Sequence, residues 1–272
     1  MNENPLGKKT QYISTYDKTL LYPILRNINR EKNGIDEKLF YGSDVWNCYE
    51  FSFLDLSGKP KVYVLQIIYD CHSEFMVESK SLKLYLGSFA MERFSNIKYV
   101  IDVIKNDLKE VLKTSIVIIY KNCFNKFEYK KIKQKYLIDN INTEITEYKL
   151  NSNLLETKKL KHKKNIERYS NLLKSNCPIT GQPDYATVYI KYRSDIVIKD
   201  NSLLKYIISF REHWDYHENC CEKMFIDIYN LIKPKYLIIK CFFTRRGGID
   251  INPIRFISIN KKIDLDFHYW RQ

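Results

Sequence analysis

Residues 61–70 read KVYVLQIIYD, a run of valine, isoleucine, leucine and tyrosine of the kind that favours β-strands. A second run of this type, SIVIIYK, occupies residues 115–121. Between the two runs, apolar residues recur at helical spacing over residues 82–89 and again over residues 94–108. The first part of the chain therefore predicts a strand, two helices and a second strand.

The second half of the sequence repeats this order. Strands are predicted at residues 187–198 and 236–243, and helices at residues 202–212 and 217–232, with Pro234 just past the last helix. A repeated strand, helix, helix, strand plan predicts an α+β protein of two modules. Each module is expected to be an antiparallel sheet that carries two helices on one face.

The stretch rich in lysine and asparagine from about residue 125 to residue 170 has the weakest periodicity in the chain. We therefore place the boundary between the modules there, with an N-terminal module at residues 1–150 and a C-terminal module at residues 151–272. The basic run KKLKHKK at residues 158–164 is more typical of a solvated linker or helix face than of a docking patch.

Composition limits the classes of function. The formal net charge of +13 over 272 residues favours nucleic acid or an anionic small molecule as partner, and both remain open at this point. The apolar runs are too short to span a membrane and the N-terminus lacks a signal-peptide core, so a cytoplasmic location is expected. The seven cysteines have no spacing typical of a disulfide framework or a zinc site, which predicts reduced thiols and no metal.

A candidate catalytic pair lies in the run LLKSNCPITGQPD at residues 172–184. Proline and glycine residues force a turn between Cys177 and Asp184, which can hold a thiol near a carboxyl group. A thiolate is a nucleophile and a nearby carboxyl group can transfer protons. The alternative is that Cys177 is a small buried apolar residue and Asp184 a turn former.

The run ESKS at residues 78–81 stands just before a predicted helix. Its backbone N–H groups and Lys80 can face an anion at the helix N-terminus, and Glu78 can bind a guanine-like amidine edge. Alternatively, Ser79 or Ser81 caps the helix and Lys80 is solvated.

The run RRGG at residues 245–248 follows a predicted strand directly. Two glycines allow the backbone to approach a phosphate, which arginine side chains can bind in a bidentate manner. A hairpin turn with exposed arginines would have the same sequence.

His217 and Glu218 open a predicted helix, where the helix dipole favours a carboxylate and the imidazole is available to hydrogen-bond a ligand. Taken alone, this pair indicates only the start of a helix.

Together these motifs resemble the NADPH-dependent 7-cyano-7-deazaguanine reductases, the nitrile reductases of queuosine biosynthesis, in their long two-module form. The resemblance covers nearly the whole chain. It is carried in order by Pro5-Leu6-Gly7-Lys8, Tyr16-Asp17, Asp44-Val45-Trp46-Asn47, Glu78-Ser79-Lys80-Ser81, Asn176-Cys177-Pro178, Gln182-Pro183-Asp184, Ser209-Phe210-Arg211, His217-Glu218 and Thr244 through Pro253.

The resemblance implies an oxidoreductase with two tandem tunnelling-fold modules that assembles as a homodimer. It implies that Cys177 attacks the nitrile carbon to form a covalent thioimide, that Asp184 donates a proton, and that two hydrides from NADPH yield the aminomethyl product. It also assigns the remaining site residues. The deazaguanine is expected at Val77, Glu78, Ser79, His217 and Glu218, and NADPH at Ser79, Lys80, Arg246 and Gly247.

Two local departures from the family pattern are expected to change the shape of the pocket. Tyr185-Ala186 replace the usual Trp-Gly, and Phe75-Met76 replace the usual Asn-Leu.

Three other functions compete with the reductase. A cyclohydrolase-like pterin enzyme needs a set of Cys and His ligands that this sequence does not assemble. A basic tRNA-binding module would bind in a salt-sensitive manner without Cys177, and direct nucleic-acid binding is not expected. Cys177 and Asp184 argue against a non-catalytic homologue.

Overall fold

The computed structural model describes residues 12–122, 132–257 and 271–272. The chain divides into two compact units. Among the described residues, the first unit contains residues 12–31, 43–122 and 245–251, and the second contains the others. The motif Pro5-Leu6-Gly7-Lys8 lies outside the described residues.

In chain order, the strands and α-helices are β1 (Pro23–Leu25), α1 (Arg26–Asn33), β2 (Tyr41–Leu54), β3 (Pro60–Asp70), β4 (Phe75–Val77), α2 (Ser79–Gly87), α3 (Ile97–Leu112), β5 (Ile116–Asn122), β6 (Thr157–Asn176), β7 (Pro183–Ile198), α4 (Asp200–Ile208), α5 (His217–Ile232), β8 (Tyr236–Phe243) and β9 (Ile249–Ile257). Short 3-10 turns lie at Lys18–Leu20, Glu37–Leu39, Gln134–Tyr136, Ser152–Leu154 and Ser209–Glu212.

In the first unit, β5, β3 and β2 are neighbours in that order and pair antiparallel. Helices α2 and α3 contribute Tyr85, Ile104 and Leu108 to the same buried cluster as Trp46 and Ile67 of the sheet. Removing each large apolar side chain from water contributes about 1.5–3 kcal/mol to folding. A two-stranded ribbon of β1 and β4 leads directly into α2 and so fixes where that helix begins.

In the second unit, the order is β9, β8, β7 and β6, again antiparallel. Alternate residues of β7 from Asp184 to Tyr192 are buried, as expected for a strand with one face in the core. Helix α4 buries Leu203 and helix α5 buries Met224 and Phe225. The prediction of an α+β chain with antiparallel sheets is therefore confirmed.

Several predicted elements have different bounds in the structure. Helix α2 begins earlier than residue 82, at Ser79, because the side chain of Glu78 accepts hydrogen bonds from the first-turn amides. Helix α3 begins at Ile97 rather than at residue 94, because Asn96 caps it. Helix α4 ends at Ile208, and the rest of the predicted helix is a 3-10 turn.

The prediction of a linker or helix face for the basic run at residues 158–164 is wrong, because the run lies in strand β6. The strand is paired with β7 and comes last in the order of the second unit. Lysines are frequent on outermost strands, where their charge opposes pairing with another chain. The basic run in β6 is mostly exposed and polar, so it lacks the alternation of polar and apolar residues from which a strand could be predicted.

Candidate functional site

Cys177 begins the connection between strands β6 and β7 in the second unit. Its backbone N–H donates to the carbonyl of Gln182 at 2.9 Å, and its carbonyl accepts from the N–H of Gly181 at 3.0 Å. Gly181 has a positive φ of 69°, and a side chain there would lie 2.9 Å from the ring of Trp214. Two backbone hydrogen bonds therefore close the loop, with Cys177 at its first position and almost fully buried.

The residue before Cys177 ties this loop to the segment that precedes helix α5. The N–H of Asn176 donates to the carbonyl of His213 at 2.9 Å, and the carbonyl of Asn176 accepts from the N–H of Asp215 at 3.1 Å. The side chain of Asp215 then accepts from Nδ2 of Asn219, in the first turns of α5, at 2.7 Å. These bonds fix the start of α5 relative to Cys177.

Asp184, a predicted catalytic residue, and His217, a predicted binding residue, are in contact in the second unit. Nε2 of His217 lies 3.3 Å from Oδ2 of Asp184. Asp184 is buried on β7 with 4% of its surface exposed, and His217 is the first residue of α5. The imidazole ring stacks on Phe243 with centroids 3.8 Å apart, which fixes its plane. Nδ1 of His217 is buried and has no hydrogen-bond partner among the described residues, so it is available to a ligand.

Glu218 follows His217 in the first turn of α5 and is 3% exposed. A carboxylate at this position interacts favourably with the positive end of the helix dipole. The prediction that His217 and Glu218 open a helix is confirmed.

In the first unit, Val77 ends strand β4 and Glu78 caps helix α2. The two carboxylate oxygens of Glu78 accept from the N–H of Lys80 at 2.8 Å and of Ser81 at 2.7 Å. The cap is therefore Glu78, and neither serine caps the helix. Burial raises the pKa of Glu78, and the backbone hydrogen bonds from Lys80 and Ser81 oppose that rise. Because a carboxylate offers about four acceptor positions, Glu78 can cap the helix and still accept from a ligand.

Arg246 and Gly247 lie in a tight turn between β8 and β9, assigned to the first unit. The backbone N–H and carbonyl groups of Arg246 and Ile249 bond to each other at 2.8 and 3.1 Å. Gly247 and Gly248 both have positive φ, 57° and 80°, a backbone conformation that residues other than glycine rarely adopt. The backbone of residues 245–248 is therefore a hairpin turn, the second of the two interpretations of this motif. A hairpin turn with two glycines can also bring backbone amides close to a phosphate.

A polar network between strands β2 and β9 adjoins this turn. The carboxylate of Asp250 accepts from Nδ2 of Asn47 at 2.7 Å and from the hydroxyl of Tyr49 at 2.6 Å. The guanidinium of Arg245 lies 3.3 Å from the centroid of the Tyr49 ring. Burial, with the nearby Asp250 carboxylate, raises the pKa of Tyr49 and keeps its hydroxyl a proton donor.

A cavity of about 90 Å³ lies beside this turn in the first unit. It is lined by Cys48, Glu50, Phe51, Lys83, Leu86, Gly87, Gly247, Gly248 and Ile249. Side chains on the two glycines would meet charged neighbours, since a Cβ on Gly247 would lie 2.8 Å from Nζ of Lys83 and one on Gly248 would lie 2.5 Å from Oε2 of Glu50.

The structure thus brings Asp184 and His217 together in the second unit and places Cys177 at the start of the adjoining hairpin loop. In the first unit, Glu78, Ser79 and Lys80 share the start of α2, and Gly247 borders the cavity. Sequence reasoning missed Phe243, Glu50 and Lys83. For the last two, the signal present was a lone charge in an apolar run, which is too common to single out a site.

Two family models match the chain. The model described as "Nitrile reductase, 7-cyano-7-deazaguanine-reductase N-term" matches residues 12–122. The model described as "QueF-like protein" matches residues 183–261. The matched ranges include, respectively, the start of α2 with Glu78 and the pair formed by Asp184 and His217.

Curated relatives match over almost the full chain. An NADPH-dependent 7-cyano-7-deazaguanine reductase of Desulfotalea psychrophila is 43% identical over 255 residues, covering 92% of this chain and 91% of the relative. The reductase of the same name from Burkholderia multivorans is 42% identical, with 93% and 92% covered. Among solved structures, the apo form of an archaeosine synthase QueF-Like covers 36% of this chain and 95% of its own, with 16% identity and a TM-score of 0.32.

Proposed function

Because this chain belongs to the family of NADPH-dependent 7-cyano-7-deazaguanine reductases, we propose that it reduces the nitrile of 7-cyano-7-deazaguanine to the aminomethyl group of 7-aminomethyl-7-deazaguanine, a step of queuosine biosynthesis. The observation that carries this proposal is the second unit's arrangement of a thiol and a buried acid. Cys177 begins the loop of the hairpin that Asp184 closes, and Asp184 contacts His217 at 3.3 Å.

In the first step, the sulfur of Cys177 adds to the nitrile carbon. One π bond of the nitrile breaks, a carbon–sulfur bond forms as the thiol gives up its proton, and the nitrogen takes a proton, which gives a covalent thioimide. The proton lost by the sulfur balances the proton taken by the nitrogen, so the thiol adds across the C≡N bond with no net change in protons. This conversion helps because a thioimide accepts hydride more readily than the nitrile does. The closed conformation of the loop keeps Cys177 at one position, and so lowers the entropic cost of bringing the thiol to the nitrile.

Asp184 is proposed to donate that proton to the nitrile nitrogen. Asp184 is only 4% exposed, so a proton transfer from its carboxyl group to the bound nitrile is shielded from water. His217 orients the acid through the 3.3 Å contact and is itself held by the stacked ring of Phe243. Nδ1 of His217 can then accept a hydrogen bond from an N–H group of the deazaguanine.

By the family resemblance, His217 and Glu218 are proposed to bind the deazaguanine, and so are Val77, Glu78 and Ser79. The carboxylates match the N–H donors of the amidine edge of the base. Burial raises the pKa of Glu78, whereas hydrogen bonds from such donors favour its ionised form. We therefore expect bound ligand to lower that pKa.

The residues of the first unit suit an anionic dinucleotide. The absence of side chains on Gly247 and Gly248 lets Lys83 and Glu50 lie directly against the turn, and Arg246 stands at the start of the turn. We propose that Ser79, Lys80, Arg246 and Gly247 hold NADPH. When bound, NADPH supplies the two hydrides that the four-electron reduction requires.

The proposal is tested by following absorbance of NADPH after mixing the protein with 7-cyano-7-deazaguanine. We expect two molecules of NADPH to be oxidised for each aminomethyl product identified by mass spectrometry. The control ligand is 7-deazaguanine, which lacks the nitrile and should cause no oxidation. Absence of NADPH oxidation with the nitrile would overturn the proposed function.

Asp184→Asn is expected to lower kcat/KM for the nitrile by about 10²-fold or more, the usual contribution of a general acid. Asparagine keeps the size of the side chain and a hydrogen bond to His217, but it has no acidic proton to give. The measurement is steady-state NADPH oxidation across pH, with NADPH affinity measured separately as a control for folding. Activity like that of the wild type would exclude Asp184 as the proton donor.

The family resemblance also supports a homodimer in the cytoplasm, with the deazaguanine as a small-molecule partner and no direct binding of nucleic acid. Analytical ultracentrifugation should therefore give twice the chain mass of 32.7 kDa. In the described ranges, no helix has both the length and the apolar character needed to cross a membrane. We retain the division into residues 1–150, with the Glu-Ser-Lys-Ser motif, and residues 151–272, with Cys177 and Asp184, as part of the proposal.

A further inference from the structure

The cavity beside the turn at Gly247 and Gly248 has two oppositely charged walls. Glu50 projects from strand β2 and Lys83 from helix α2, and both line the cavity together with apolar residues such as Phe51 and Leu86. Its volume of about 90 Å³ is well below the roughly 300–1,000 Å³ of pockets that hold a whole small-molecule ligand. The cavity therefore has room for one small polar group of a ligand rather than for a whole dinucleotide.

Neither charged group has a partner among the described residues. No hydrogen bond or ion pair joins the carboxylate of Glu50 or the ammonium of Lys83 to another described side chain, and the two do not pair with each other. Each instead rests on the turn, with Lys83 against Gly247 and Glu50 against Gly248. Two unpaired opposite charges on one cavity can bind a ligand that combines an anionic group with hydrogen-bond donors.

We propose that Glu50 is a binding residue for the cofactor, and that its carboxylate accepts hydrogen bonds from the hydroxyl groups of the ribose that carries no 2′-phosphate. This inference rests on the proposed function, since it takes the turn at Arg246 and Gly247 to be the site of NADPH. It adds a residue to that site and states which part of the cofactor lies in the cavity.

The sign of the charge decides which part of the cofactor this is. A carboxylate repels phosphate, so the ribose with the 2′-phosphate is disfavoured beside Glu50. The nicotinamide ribose has a free pair of hydroxyls, which are donors that a carboxylate accepts strongly. Its attached pyrophosphate is then favoured on the opposite wall, beside Lys83.

The experiment is a calorimetric titration of the full-length protein with NADPH in the absence of the nitrile, so that turnover does not enter. Glu50→Gln keeps the shape of an exposed side chain and removes its charge. We expect its Kd for NADPH to rise about tenfold, the usual loss when a hydrogen bond to a charged group is replaced. Glu110→Gln is the matched control, because Glu110 is an exposed carboxylate of the same unit that does not line the cavity.

A second probe, 2′-phosphoadenosine 5′-diphosphate, lacks the nicotinamide ribose and should bind wild type and Glu50→Gln equally. Unchanged or tighter binding of NADPH by Glu50→Gln would overturn the inference, since a carboxylate that makes no bond to the cofactor would only repel its phosphates. Equal weakening for the second probe would also overturn it. If the wild type binds no NADPH, the cofactor site of the proposed function fails as well, whereas normal NADPH binding by both proteins refutes the role of Glu50 alone.

Discussion

Cys177→Ala is expected to form no covalent adduct with 7-cyano-7-deazaguanine and to lose at least about 10³-fold in turnover, because the nucleophile that begins the proposed reaction is missing. Intact-protein mass spectrometry without NADPH should detect an increase equal to the mass of the nitrile on the wild type and none on the variant. Adding NADPH should then remove the adduct from the wild type while NADPH is oxidised.

The control for this experiment is Cys221→Ala, which changes another buried cysteine of the same unit. Cys221 lies in helix α5, four residues beyond His217, and its sulfur lies 3.5 Å from the backbone carbonyl of Pro253, so it has no part in the proposed chemistry. Its variant should keep the adduct. An adduct that persists on Cys177→Ala would assign the nucleophile to another residue, and the proposed reductase mechanism would be wrong.

Glu222→Gln is expected to have the largest effect on stability, lowering the free energy of unfolding of the second unit by about 3–5 kcal/mol. Oε1 of Glu222 accepts from Nε and from a terminal nitrogen of Arg255 at 3.0 and 2.8 Å, and both side chains are fully buried. The substitution leaves the guanidinium buried without its counter-charge. Urea denaturation followed by circular dichroism measures the loss.

The double variant Glu222→Leu with Arg255→Met separates the cost of an unpaired charge from the value of the pair. Because it removes both charges, it should lose much less stability than Glu222→Gln. Glu156→Gln is the surface control, since Glu156 forms an exposed ion pair with Lys199 and should leave the urea midpoint unchanged. Equal losses from the buried and the exposed substitution would contradict this account.

Much of the fold was predictable from local patterns. The strand at Tyr236–Phe243 and the helix at His217–Ile232 lie at their predicted bounds, because a continuous apolar run and a helical repeat each report burial directly. Strand β2 was not predicted. Its buried Asp44 and Asn47 interrupt the apolar pattern, and their partners include Arg26 and Asp250, which are distant in sequence.

The sequence by itself determined the candidate catalytic groups and the turn-rich segment that holds them. A turn with Pro178 and Gly181 is a local property of the chain, and so is the ability of a cysteine to act as a nucleophile. The motifs that carry the family resemblance are also readable without coordinates, which is why Cys177 and Asp184 could be named from them.

Only the tertiary structure decided which of these groups meet. The 3.3 Å contact between Asp184 and His217 joins a strand to a helix 33 residues later, and Phe243 completes it from a third element. The unpaired charges of Glu50 and Lys83 became visible only as walls of one cavity. Local propensities act over a few neighbouring residues, whereas such contacts depend on strand register and helix packing, which the whole chain determines.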